Sequence, residues 1–484
     1  MQSLSPYSTA QQMLQMLRNR TISSSELLEL HIRRMTRIDP LLNSIVVRDL
    51  ERAKADAAMA DRMRAGGDDR PLLGLPMTVK ESIDIEGKAT TAGVPERAGH
   101  RASADALTVR RLRQAGAVIF GKTNVCPWLA DYIGDNPLFG RTNNPWDLSR
   151  TSGGSTAGSA ALAAGLSPLE LGSDLGGSIR VPAAFCGLWG HKPSEGLVPN
   201  TGHFPGSAVA NPGAVLAVQG PHGRSAGDLA ICLKILMGPD RGADAAWQVA
   251  PPSPRHSELS GYRVAVIDPP QWVPLDAEIR AKLTGWTEHL RSRCASVEVT
   301  DLGQVADLRE YFFLFRSMMN ALISSAWPTE KRQTAAAEKI ATGDPLLAAD
   351  ARGLTASAQD YLQWLSRREE FRAAWREFFT KYDILLTPMT LVPAFSHPTV
   401  PPSRRRIRID DRECGFDYLS FYPALATLAG QPATAFPAGF NKTGLPLGLQ
   451  AIGPCLEDFT PLKFAERLAE SFGGFQSPPL DAHF

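Results

Sequence analysis

The sequence of 484 residues lacks a charge imbalance: 51 Lys+Arg face 50 Asp+Glu, a formal net charge of +1. A protein that binds nucleic acid by neutralising phosphates carries a basic excess, so no nucleic-acid partner is expected. Paired cysteines are missing as well. Cys126, Cys186, Cys232, Cys294, Cys414 and Cys455 are scattered, with no CxxC, which offers no zinc site and fits reduced thiols in a cytoplasm. The histidines show no HExxH spacing, so neither a metal nor another cofactor is expected. No run of eighteen apolar residues occurs, so no membrane span is expected. Met1–Pro6 has no basic segment leading into an apolar one, so no signal peptide is expected either.

What is present is the material of a large folded protein. Hydrophobic residues make up 43% of the chain, enough for real cores and too many for disorder. Length alone suggests about three domains. Glycine (41) and proline (37) exceed ordinary usage, which points to many backbone-defined turns. Residues 1–70 read as an N-terminal helical region with one strand. Ser23-x-x-Glu26 is a capping box, Pro40 is expected to end the helix it opens, and Ile45-Val46-Val47 reads as a strand. A helix over 51–65 stops at Gly66-Gly67. Strands are expected at Leu75–Lys80 and Ala117–Phe120, around a helix over 105–115, and again at 261–267 and 383–387. Helices are expected over 276–293 and 306–382. The tail over 419–471 reads helix, strand, turn, strand, helix. The strand–helix–strand rhythm predicts an α/β fold.

Gly116-Ala-Val-Ile-Phe-Gly121-Lys122-Thr123 matches the P-loop pattern letter for letter. A phosphate cradle needs strand, loop, then helix. Here a helix precedes, an apolar strand fills the loop position and Pro127 follows, so a plain helix–strand connection is the better reading.

Three other segments carry chemistry. Lys80 ends an apolar strand, where desolvation would depress its pKa and free a neutral amine to act as a base; snorkelling at a sheet edge is the bland alternative. Ser155 follows Gly153-Gly154, and Ser178 follows Gly176-Gly177. Paired glycines let amide N–H groups crowd around one point, which suits an exposed nucleophile and an oxyanion. Either cluster alone would read as a tight turn. No histidine lies nearby before His191 and no G-x-S-x-G elbow is present, so a Ser-His-Asp arrangement is unsupported.

Together these segments resemble the amidase signature family. The resemblance runs in order through Lys80, Gly121–Asn124, Asn143–Trp146, Gly153–Ser155 and Gly172–Pro182. It continues through Phe185–Gly187, Lys192-Pro193, Leu386–Pro388 and Phe436–Gly448. It implies an α/β fold with a single large mixed β-sheet core flanked by helices, so that 1–484 is one amidase domain. It also implies a Ser–cis-Ser–Lys triad: Ser178 as nucleophile, Ser155 as the bridging serine after a cis peptide, and Lys80 as base. Main-chain N–H groups of Leu175, Gly176, Gly177 and Ser178 would form the oxyanion hole. Gly153, Gly154, Thr156, Asp174 and Arg180 would support it, with Asp174 and Arg180 paired. Leu129 and Ala130 would lie near the acyl pocket. Two departures stand out. Thr156-Ala157 replaces a Ser-Gly pair, and the 23 residues from Ser155 to Ser178 are one fewer than the family pattern.

A stand-alone serine amidohydrolase of the cytoplasm, acting through an acyl-enzyme on small amides, is therefore expected, and it is compatible with a homo-oligomer. Apolar or aryl amides are favoured, with esters and carbamates (urethanes) open to the same oxyanion hole. Two other readings remain: the A subunit of a glutamyl-tRNA amidotransferase, acting as a glutaminase, and a non-catalytic binding protein on the same fold. Residues 306–365, rich in Phe, Leu, Met and Trp, are expected to form an apolar cap over the cleft, with ordinary core as the alternative. Residues 195–220, dense in Gly and Pro, are expected to form a mobile lid.

Overall fold

The computed structural model describes residues 4–204, 215–240, 242–325, 327–472 and 474–480. Residues 205–214 of the expected lid lie outside this set. Among the described residues, eleven strands form one mixed sheet. Their spatial order is Ile45–Arg48, Val118–Thr123, Pro76–Lys80, Glu170–Asp174, Val218–Gly223, Trp189–Lys192, Ala433–Phe440, Pro446–Ile452, Ile384–Pro388, Arg263–Ile267 and Ser296–Thr300. Pro76–Lys80 runs parallel to both its neighbours, as does Arg263–Ile267. The other pairings in this sheet are antiparallel. The apolar strands that flank the middle of the sheet are buried on both faces, and helices cover them, as parallel pairing requires.

Local signals in the sequence place most of the elements. Ser23 Oγ accepts the Glu26 N–H and Glu26 Oε2 accepts the Ser23 N–H, closing the capping box. The helix that follows does not stop at Pro40; it spans Ser24–Leu42 with the proline in its last turn. A proline there forfeits only its own N–H bond. The actual stop is Asn43, left-handed at φ 53°, whose amide donates to Asp39 O at 2.6 Å. The strand expected to end at Phe120 continues to Thr123. Gly121-Lys122-Thr123 is therefore strand and not a phosphate loop, and Lys122 Nζ is spent on Ala89 O and Thr90 Oγ1. The stretch 306–382 is broken into four helices, Leu308–Ile323, Thr329–Ala341, Pro345–Leu354 and Ala358–Lys381.

The strand Pro76–Lys80 positions the site. Met77 and Val79 point into the main hydrophobic core, whereas Thr78 and Lys80 share the opposite face. Its parallel neighbour Glu170–Asp174 ends at the same edge, so Lys80 and the turn after Asp174 meet there.

Candidate active site

Lys80 is fully buried. Its Nζ lies 2.6 Å from Ser155 Oγ, 2.9 Å from Ser173 Oγ and 3.5 Å from Ser173 O. It is therefore not snorkelling. Burial lowers its pKa to about 8, against the upward pull of Cys126, Asp174 and Glu170. A neutral amine is thus accessible in mildly alkaline water.

Ser155 follows a cis Gly154–Ser155 peptide, the geometry that the resemblance implies. Glycine is required at both preceding positions. A Cβ on Gly153 would lie 2.6 Å from Pro182 Cα, and one on Gly154 would lie 2.6 Å from Asp131 O. Thr156 keeps a supporting hydroxyl in the place of the missing serine, donating to Ser173 O at 3.3 Å.

Ser178 sits in the turn before the helix Arg180–Cys186 and lines the same cavity as Ser155. Lys80 and Ser155 are directly bonded; no hydrogen bond joins Ser155 to Ser178 among the described residues. Catalytic contacts commonly tighten only around substrate.

The Ser178 turn is braced by a buried ion pair. Arg180 Nε and Nη2 both donate to Asp174 at 2.9 Å, and neither side chain is exposed. Arg180 also donates to Pro423 O, Gln450 Oε1 and Thr427 Oγ1. Burial alone would push the Asp174 carboxyl up, but Arg180 outweighs it and holds the group down at about 2. Arg180 thus faces the interior, and it ties the turn to the C-terminal third of the chain.

Asp174 also accepts the N–H of Gly177 at 2.8 Å and of Ile179 at 3.1 Å. This engages one of the four amides expected in the oxyanion hole. The N–H groups of Leu175, Gly176 and Ser178 have no such acceptor among the described residues. Tyr132 Oη donates to Gly176 O, which fixes the peptide plane between the two glycines.

The cavity above these groups has a volume of about 210 Å³. Its walls are Trp128, Leu129, Ala130, Tyr132, Phe204, Met319, Leu322, Ile323, Trp327 and Phe416, with Asp131, Arg316 and Asp417 as charged members. Leu129 and Ala130, expected near an acyl pocket, are among the residues that line this cavity. Trp128 and Leu129 are both left-handed, at φ 56° and 61°, a conformation that L residues rarely adopt. The Trp128 ring lies 5.8 Å from that of Phe204.

The segment expected as a cap divides in two. Tyr311, Phe312, Phe315 and Met318 are core, whereas Met319, Leu322, Ile323 and Trp327 line the cavity. Arg316 is held between Asp350 and Asp417. Ser173, His203, Tyr132, Arg316 and Asp417 were not legible as site residues. Ser173 is only the strand residue before Asp174, and the other four come from segments without a motif.

The amidase family profile matches residues 26–462. The indoleacetamide hydrolase of Bradyrhizobium diazoefficiens is 32% identical over 90% of this chain and 81% of its own length. The acylamidase of Rhodococcus erythropolis is also 32% identical, over 91% of each chain. A solved bacterial aryl acylamidase of the amidase signature family, 23% identical, superposes with a TM-score of 0.79 over 97% of each chain and supports the fold. The chain belongs to the amidase signature family and is an amidase, a hydrolase of carbon–nitrogen bonds other than peptide bonds.

Proposed function

We propose that this amidase cleaves apolar or aryl amides through a Ser178 acyl-enzyme, with Ser155 and Lys80 as its proton relay. The observation that carries the reading is the 2.6 Å bond between the buried Lys80 amine and Ser155, at the floor of an apolar cavity that also contains Ser178. Neutral Lys80 takes the Ser155 proton as Ser155 takes that of Ser178, and the Ser178 oxygen bonds to the substrate carbonyl carbon. The resulting oxyanion meets the amides of Leu175, Gly176 and Ser178, whereas the Gly177 amide serves the Asp174 turn. On collapse the C–N bond breaks. Ser155 gives a proton to the departing amine nitrogen and recovers one from Lys80. Water then repeats the sequence on the acyl-enzyme and releases the carboxylic acid.

The walls favour a substrate with an apolar or aromatic acyl or amine group. Esters and carbamates present the same carbonyl to the same amides and are expected as secondary substrates. The test is a hydrolysis panel of aryl acylamides, primary amides, esters and carbamates, run alongside fluorophosphonate labelling. Labelling of Ser178 and fastest turnover of aryl or apolar amides are expected. Labelling elsewhere defeats the nucleophile assignment, and a preference for small primary amides defeats the substrate class.

A further inference from the structure

The Lys80 amine has a neighbour that the relay does not use. Ser173 Oγ lies 2.9 Å from Lys80 Nζ, and His203 Nε2 lies 2.9 Å from the same Ser173 Oγ. Ser82 Oγ stands 3.3 Å from that ring nitrogen. The histidine is held close to Lys80 by its own backbone, which bridges to Ile83 and donates to Asn200 O at 3.0 Å. Its side chain is buried, at the wall of the cavity that holds Ser155.

Counting protons gives this contact a role. A neutral lysine amine has two N–H donors and one lone pair. Lys80 has three polar neighbours: Ser155 Oγ, Ser173 Oγ and Ser173 O. The carbonyl can only accept. The amine acts as a base only while its lone pair faces the Ser155 hydroxyl, so Ser173 Oγ must accept the remaining N–H. The Ser173 hydroxyl then has to send its own proton elsewhere, and His203 Nε2 is the acceptor at hydrogen-bond distance. Were that proton turned towards Lys80, it would occupy the lone pair and leave Ser155 without a base.

We infer that His203 is a positioning residue for Lys80: its neutral ring, protonated at Nδ1, accepts the Ser173 hydroxyl proton at Nε2 and keeps the Lys80 lone pair on Ser155. Burial, reinforced by the charge of Lys80, holds the imidazole down at about 3, so the ring stays neutral wherever Lys80 works. Cys126, Asp174 and Glu170 act on Lys80, and Lys80 acts on His203. Of these four groups, Lys80 bonds Ser173 Oγ.

This inference rests on the relay proposed above, and its test separates the two. The full chain is labelled with a fluorophosphonate, and the limiting rate at saturating probe is measured apart from the half-saturating concentration. His203→Leu removes the acceptor at similar volume. It is expected to lower the limiting rate about tenfold, with half-saturation within about threefold of wild type. His203→Gln offers Oε1 to Ser173 and is expected to recover the rate to within about threefold of wild type. In a Ser173→Ala background, His203→Leu is expected to cost less than about twofold more, because the two act in series. Wild-type labelling by His203→Leu overturns the inference. So does a His203→Gln rate as low as that of His203→Leu, or an equal loss with and without Ser173. Should His203→Leu not fold, as judged by thermal unfolding, His203→Met supplies the acceptor-free side chain. Failure of the relay itself has a separate signature: Lys80→Met labelled as fast as wild type, whatever His203 does.

Discussion

The floor and the walls of the cavity are built by different means. The floor consists of strand ends and glycine turns: Lys80 and Asp174 close two adjacent parallel strands, and Ser155 and Ser178 sit on backbone turns. Its polar groups are almost wholly buried, and Lys80, Ser155, Ser173, Asp174 and Arg180 are bonded among themselves at 2.6–2.9 Å. The walls are side chains from helices and loops distant in sequence, such as Met319, Trp327, Phe204 and Phe416. In the floor, small displacements break hydrogen bonds that have no solvent to replace them. In the walls, one apolar side chain can stand in for another at modest cost. The chemistry should therefore be intolerant of change in the floor, and substrate choice should be adjustable in the walls.

Four measurements would break or sharpen that contrast. The largest effect is expected at Lys80. Lys80→Met should lower kcat for amide hydrolysis by about 10³-fold or more, the scale of a lost general base. In the wild type, activity should rise with pH below about 8 and level off above it, because the ammonium form cannot accept the Ser155 proton and burial lowers the Lys80 pKa to about 8. A flat profile with chemistry rate-limiting, or a Lys80→Met enzyme of normal turnover, would remove the lysine from the mechanism. Next comes the brace of the Ser178 turn. Arg180→Met strands the Asp174 carboxylate in the interior and should cost about 3–5 kcal/mol of stability, read from the denaturation midpoint. A loss under about 1 kcal/mol would show that water reaches Asp174. The smallest effect belongs to the walls. Met319→Ala or Leu322→Ala should change kcat/KM for a bulky aryl amide by about tenfold, mainly through KM, and leave a small amide nearly untouched. Equal losses for both substrates would mean that these side chains support the floor and not the pocket.

The same division explains how much could be read from the sequence. The capping box at Ser23, the strand ending in Lys80, the glycine pairs before Ser155 and Ser178, and the Asp174–Arg180 pair are all local patterns; the structure closes the cap, ends the strand at Lys80 and pairs Asp174 with Arg180. Pro40 misled because a proline in the last turn of a helix loses so little. The register of the Gly177 amide was hidden because it depends on how Asp174 folds back over its own turn. Ser173 and His203 were hidden because their meeting with Lys80 joins residues 93 and 30 positions apart. The cap expected over 306–365 resolved only when its neighbours were in place: Tyr311, Phe312, Phe315 and Met318 meet the core, whereas Met319, Leu322 and Ile323 of the same helix and Trp327 beyond it line the cavity.

The ordered series of glycine, serine and lysine motifs is a property of the chain, and it determined the family. Short-range backbone demands impose its glycines: only glycine tolerates the approaches of Pro182 and Asp131 behind Ser155. The tertiary structure alone decided which amides of the Ser178 turn are left without an acceptor among the described residues, which of many apolar side chains line the cavity, and that a histidine stands behind the lysine. Those outcomes depend on strand register and helix packing between distant segments, and burial then turns each meeting into a fixed hydrogen bond or a shifted pKa.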